Sequence, residues 1–289
     1  MNVFVSRPSG YCAAVIRAIE LVKDVRQKHK EGPVFVLGSI VHNEDVINEL
    51  TSLGITTIRD DKKSQNELLA SLPDEAVVVF TAHGHAKELD AMAKKKMMTV
   101  YDATCPMVNL NHKIVKSEVE NNHQIIYIGK KNHPEATAAL SLSKNVFLLD
   151  DIDNFSFELI TDKSPLVINQ TTLSHLELKK MHSEIKARIS GSRFADEICS
   201  ATRFRQKAVL ELPSGTQLIY VIGGEYSSNT QSLVEIARGH YPKARVVKIL
   251  NESFINKKDL TGLDYVAIVS SASTPLATTQ RVAELLKAL

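Results

Sequence analysis

The fold is read from Met97-Met98-Thr99-Val100-Tyr101-Asp102-Ala103-Thr104-Cys105-Pro106-Met107-Val108. The apolar run 97–101 predicts a buried strand. Pro106-Met107-Val108 opens an amphipathic helix, because proline suits a first helical turn, where its missing N–H would lack a partner anyway. Cys105 falls between the two. Unpaired backbone N–H groups and the helix dipole favour a thiolate there. The ordinary alternative is a small buried hydrophobe, which is what a lone cysteine usually is.

Outward from this stretch, strand-like runs alternate with helical periods along all 289 residues. Strands are predicted over 3–6, 34–37, 55–58, 76–81, 124–128, 146–149, 166–169, 217–222, 244–249 and 265–270. Helices are predicted over about 11–28, 86–94, 108–121 and 176–189, with others carrying Val46, Ile47 and Leu50, running through Leu210, and starting at Pro275. Continuous apolar strands between helices predict an α/β fold with mainly parallel sheets covered on both faces. The net charge is +2, with no long run of one sign. That argues against nucleic acid or an anionic membrane as the main partner. No stretch approaches the ~20 apolar residues of a membrane helix. Met1 runs straight into a strand, so no secretory signal is read and a cytoplasmic location is expected.

Cys12, Cys105 and Cys199 are the only cysteines, spaced 93 and then 94 residues apart, each just before a helix. An odd count predicts thiols that act as thiolates rather than a disulfide framework. The even spacing predicts three similar lobes of ~90 residues, a normal domain size. They are placed at 13–104, 105–198 and 199–289, each giving one cysteine to a shared centre. Strands also end repeatedly in anion-binding residue types: His42, His83, His133 with Glu135, Thr171, Ser227-Ser228-Asn229 and Ser273. Ligands of open α/β sheets bind beyond the carboxyl ends of strands, beside helix N-termini. Ser227, Ser228 and Asn229 fit either a phosphate site or simple helix caps. Each histidine taken singly fits an ordinary surface or core position, whereas three at strand ends suggest a shared pocket. The other histidines lie within or beside helices and take no role.

The motifs Gly10-Tyr11-Cys12-Ala13, Val41-His42-Asn43, Ala82-His83-Gly84, Asp102-Ala103-Thr104-Cys105-Pro106 and His133-Pro134-Glu135 follow one another in order. Gln170-Thr171-Thr172-Leu173-Ser174, Ile198-Cys199 with Thr202 and Arg205-Gln206, Ser227-Ser228-Asn229 and Ala272-Ser273-Thr274-Pro275 continue the series. In order and spacing this set resembles the LytB, or IspH, family of 4-hydroxy-3-methylbut-2-enyl diphosphate reductases of the non-mevalonate isoprenoid pathway, over essentially the whole chain.

The resemblance implies three α/β lobes around a central iron–sulfur cluster, with strand 1–12 packing on the third lobe. It implies that Cys12, Cys105 and Cys199 each hold one iron of a 4Fe–4S cluster whose fourth iron is open to substrate. It assigns the diphosphate pocket to His42, His83, His133, Ser227, Ser228, Asn229 and Ser273. Glu135 and Thr171 are implied beside the substrate hydroxyl, with His133 joining them in catalysis and Thr171 also binding substrate. The implied reaction is reductive dehydroxylation of (E)-4-hydroxy-3-methylbut-2-enyl diphosphate to isopentenyl and dimethylallyl diphosphates, the last pathway step. A ferredoxin or flavodoxin is the implied electron donor, and neither nucleic acid nor membrane is a partner. Two other readings are an iron–sulfur sensor or binding paralogue without turnover, and a metal-dependent phosphometabolite hydrolase. The hydrolase reading lacks the close cysteine pairs of structural zinc motifs.

Overall fold

The structure, a computed structural model, describes residues 1–60, 62–195 and 198–289. In chain order its elements begin with β1 (Asn2–Val5), α1 (Ala13–Lys28), β2 (Val34–Leu37), α2 (Glu44–Ser52), β3 (Ile55–Ile58), α3 (Gln65–Ala70), β4 (Val77–Phe80) and α4 (Lys87–Lys95). Next come β5 (Thr99–Asp102), α5 (Pro106–Glu120), β6 (Ile125–Ile128), α6 (Pro134–Leu140), β7 (Val146–Leu149), β8 (Leu166–Asn169), α7 (His175–Arg188) and β9 (Arg193–Phe194). The chain closes with α8 (Ser200–Leu210), β10 (Leu218–Ile222), α9 (Ser228–His240), β11 (Arg245–Ile249), β12 (Tyr265–Ser270) and α10 (Leu276–Lys287).

The strands form three four-stranded sheets, ordered β1-β12-β10-β11, β5-β4-β2-β3 and β9-β8-β6-β7. Every pairing among the described residues is parallel. The three orders are one order repeated: an edge strand that precedes a cysteine, then the third, first and second strands of the lobe. The first strand of the chain therefore completes the last sheet, through Asn2–Val5 paired with β12.

Each sheet is covered on both faces. In the middle sheet Ile125, Tyr127, Leu166 and Ile168 face one core, while Ile126, Ile128 and Val167 face the other. The period of two along a strand sends alternate residues to opposite layers, so strands buried on both faces read as unbroken apolar runs. Each wholly buried Ile, Leu or Val contributes about 1.5–3 kcal/mol, and these layers hold the lobes together.

The helices that follow the cysteines connect the lobes. On α1, Val15, Ala18, Ile19, Val22 and Val25 fall on one stripe at helical spacing and pack into the core of the β2–β5 sheet. In the same way α5 covers the β6–β9 sheet through Val115, and α8 covers the β10–β12 sheet through Val209. Each cysteine thus leaves one lobe and starts the helix that packs on the next.

The opening stretch differs from its reading in one respect. Among the described residues β5 is a sheet edge, paired with β4 alone, and Thr99 and Val100 are exposed rather than buried. A short apolar run does not distinguish a central strand from an edge. β9, only two residues long, carried no periodic signal and was not expected from the sequence.

Candidate active site

Cys12, Cys105 and Cys199 are the N-cap residues of α1, α5 and α8. Each cysteine N–H is held by a carbonyl two residues past the end of the adjacent strand. Cys12 N donates to Ala272 O (3.1 Å), Cys105 N to Ala82 O (2.9 Å) and Cys199 N to Thr171 O (3.4 Å). One local device, used three times, sets each cysteine beside the end of a strand. At Cys105 the turn is shaped further by Asp102, whose Oδ1 accepts from Thr104 N (2.8 Å) and Thr104 Oγ1 (2.5 Å).

All three thiols are free and half-buried. They lie within electrostatic reach of one another. Burial raises the Cys105 pKa, the N–H groups of Met107 and Val108 oppose that, and the Cys199 and Cys12 sulfurs raise it again. The helix N-terminus is therefore outweighed, contrary to the thiolate expected from position alone. A metal's positive charge would reverse that balance and draw off the protons. Cys199 Sγ lies 3.1 Å from Thr202 Oγ1 and accepts from Thr202 N at 3.4 Å. Among the described residues no group of three or more His, Cys, Asp or Glu side chains is arranged as a ready-made single-ion site.

The strand-end residues converge beside these thiols. The ring centroids of His42 and His83 are 4.5 Å apart, those of His83 and His133 5.7 Å, and those of His42 and His133 6.1 Å. All three residues are partly exposed. Burial first, and then the neighbouring rings, pushes the His83 pKa well down and that of His133 to about 3; burial also lowers that of His42. All three are therefore neutral at pH 7. His133 caps α6 by accepting from Glu135 N at Nδ1 (3.2 Å), which leaves its proton on Nε2. His42 Nε2 is buried with no partner.

Glu135 is 2% exposed. Its Oε1 accepts from Thr171 N (2.8 Å) and from the Tyr127 hydroxyl (3.4 Å), and its Oε2 from Thr171 Oγ1 (3.1 Å). Burial raises its pKa to about 7 despite these three donors. A carboxyl balanced between its two protonation states is suited to delivering a proton.

The serine-rich helix start closes the site from the third lobe. Ser227 caps α9, and Ser228 Oγ accepts from Gln170 Nε2 and Thr172 Oγ1, both at 3.0 Å. Asn229 Oδ1 accepts from Ala272 N (3.0 Å), while its Nδ2 donates to Thr202 Oγ1 (3.4 Å). Its amide thus ties the Cys12 and Cys199 seams together. Ser273 Oγ lies 3.2 Å from Ser271 Oγ, and Ser273 O accepts from Asn43 Nδ2 (3.0 Å). A Cβ on Gly224 would collide with the His42 carbonyl, so only glycine lets these two loops meet. Asn43, Gln170 and Tyr127 had no role in the sequence reading. Asn43 before Glu44-Asp45 carries an N-cap signal, but its reach to Ser273 has no local trace.

The fold and site define a class: three-lobed α/β proteins with one cysteine per lobe at a helix N-terminus and a cluster of polar residues at strand ends. Within that class the chain belongs to the LytB protein family, whose match covers residues 3–287. It is similar to the 4-hydroxy-3-methylbut-2-enyl diphosphate reductase of Symbiobacterium thermophilum, at 36% identity over 99% of this chain and 97% of that one. The enzyme of that name from Malacoplasma penetrans is 33% identical over 95% of this chain and 93% of its own. Among solved structures, the E-1-hydroxy-2-methyl-but-2-enyl-4-diphosphate reductase of Plasmodium falciparum superposes with a TM-score of 0.89. It is 30% identical and covers 99% of this chain and 87% of its own.

Proposed function

We propose that this chain is an iron–sulfur oxidoreductase that reduces (E)-4-hydroxy-3-methylbut-2-enyl diphosphate to isopentenyl and dimethylallyl diphosphates. The observation that carries the reading is a set of three N-cap cysteines, one per lobe and within electrostatic reach of one another, together with three clustered neutral histidines and the Glu135–Thr171 pair. Whole-length similarity to reductases named for this substrate supports it. The lobes are assigned to 13–104, 105–198 and 199–289, the last completed by strand 1–12.

The donor set fits a 4Fe–4S cluster. Thiolates are its usual ligands, and Cys12, Cys105 and Cys199 would each hold one iron, leaving the fourth open. When bound, the cluster supplies electrons one at a time and a Lewis-acidic face toward the substrate hydroxyl.

The chain's own residues do the rest. His42, His83 and His133, with Ser227, Ser228, Asn229 and Ser273, bind the diphosphate. Neutral imidazole N–H groups, hydroxyls and the N-terminus of α9 offset its charge without a basic surface. That anchorage holds the allylic C–O bond beside Glu135 and Thr171. Glu135 delivers the proton with which the hydroxyl leaves as water, and Thr171 fixes the direction of that carboxyl through two hydrogen bonds. His133, capping the same helix, sets the position of Glu135 through its backbone N–H. In the balance, one C–O bond breaks and one C–H bond forms, and two electrons and two protons enter. The electrons come from a small protein donor of the ferredoxin or flavodoxin kind, and the reaction needs neither nucleic acid nor membrane. Among the described residues no helix is long and apolar enough to cross a membrane.

The test is an anaerobic assay of reconstituted protein with the allylic diphosphate and a chemical reductant. Formation of the two five-carbon diphosphates is expected. Intact cluster without product would point to a sensor, and hydrolysis without reductant to a hydrolase.

A further inference from the structure

Arg205 brings a permanent charge into the interior. It lies on α8, six residues beyond Cys199, and is 3% exposed. Its Nη2 donates to Gly10 O (2.6 Å), two residues before Cys12, and its Nη1 to Ala201 O (3.0 Å). The side chain thus crosses the seam between the helix of Cys199 and the loop of Cys12. Its Nε is buried with no hydrogen-bond partner. Among the described residues no carboxylate pairs with it; burial disfavours its charge, and the sulfurs of Cys12 and Cys199 favour it. A guanidinium held in the interior by carbonyls alone is costly.

We propose that Arg205 is a positioning residue that supplies a fixed positive charge against which the iron–sulfur centre accepts electrons, raising its reduction potential. This rests on the cluster reading given above. Each added electron makes the centre more negative, and a fixed cation in a site of low dielectric favours the more reduced state. The guanidinium cannot lose its proton to escape burial, so its charge is present in every redox state. A residue that only braced the seam would need the hydrogen bonds and not the charge. Lysine keeps the charge and loses the fork; glutamine keeps hydrogen bonding and loses the charge.

Wild type, R205K and R205Q are prepared and reconstituted anaerobically. Iron and acid-labile sulfide per chain are measured, with the midpoint potential of the first reduction by redox titration followed by paramagnetic resonance. R205K is expected near the wild-type potential. R205Q is expected to lose at least tenfold in electron affinity, about 59 mV lower for one electron. Loading of R205K but not R205Q also supports the charge requirement. The proposal is overturned if R205Q keeps the wild-type potential, if R205K shifts as far as R205Q, or if neither variant loads. A wild-type chain that takes up no iron and sulfide overturns the cluster reading instead.

Discussion

At Glu135 burial and hydrogen bonding pull in opposite directions, and burial wins, holding the pKa near 7. The Glu135→Gln variant is expected to keep its iron and its affinity for the diphosphate while turnover falls by about 10²-fold or more, the usual worth of a positioned proton donor. Near wild-type turnover would remove Glu135 from the reaction. The same residue has a signature in stability. A folded-state pKa raised from about 4.5 to about 7 favours the fold below pH 4.5, and this is lost as pH rises through 7. Urea unfolding of the metal-free proteins should show wild type losing about 3 kcal/mol relative to Glu135→Gln between pH 4 and 8. Parallel pH profiles would show that the carboxyl is not held protonated. His133 carries the opposite sign. Its depressed pKa gives stability that is present above pH 6.5 and lost as pH falls toward 3. Between pH 6.5 and 5, wild type should lose about 2 kcal/mol relative to His133→Gln; unchanged relative stability would place the imidazole in water.

At the scale of elements, the repeated unit is a cysteine that follows an edge strand and stands at the N-terminus of the helix packed on the next lobe. That each cysteine stands just before a helix, one per lobe, was legible in the sequence, because strand and helix periodicity, Pro106 at a helix start and the 93- and 94-residue spacing are local or arithmetic signals. What was not legible depends on contacts between distant positions. Asn43 Nδ2 reaches Ser273 O, Arg205 reaches Gly10 O, and Gln170 Nε2 reaches Ser228 Oγ. Nothing in the neighbouring sequence announces any of these partners. The edge status of β5 is hidden for the same reason, since exposure depends on what a sheet fails to place beside it. Asn43 combines the two kinds of signal: its Oδ1 caps α2 by accepting from Asp45 N and Val46 N, while its Nδ2 binds across lobes. Asn43→Ala should therefore cost the metal-free protein more than a cap alone, about 2–4 kcal/mol from the lost cap and the stranded buried carbonyl. Asn43→Asp, which keeps the cap, should recover only the cap's share. An Asn43→Asp variant as stable as wild type in thermal or urea unfolding would show that the contact with Ser273 contributes nothing.

At the scale of the whole molecule, three lobes that share a strand order and exchange their cysteine helices enclose a site that none of them forms alone. We propose that this site holds one cluster on three thiolates with one iron left for substrate. Mössbauer spectroscopy of the anaerobically reconstituted, iron-57-labelled protein, before and after addition of the allylic diphosphate, tests it most directly. A 4Fe–4S spectrum is expected in which one iron of the four is distinct and changes its parameters when substrate is added. Four equivalent irons that ignore the substrate, or iron bound without a cluster spectrum, would contradict it.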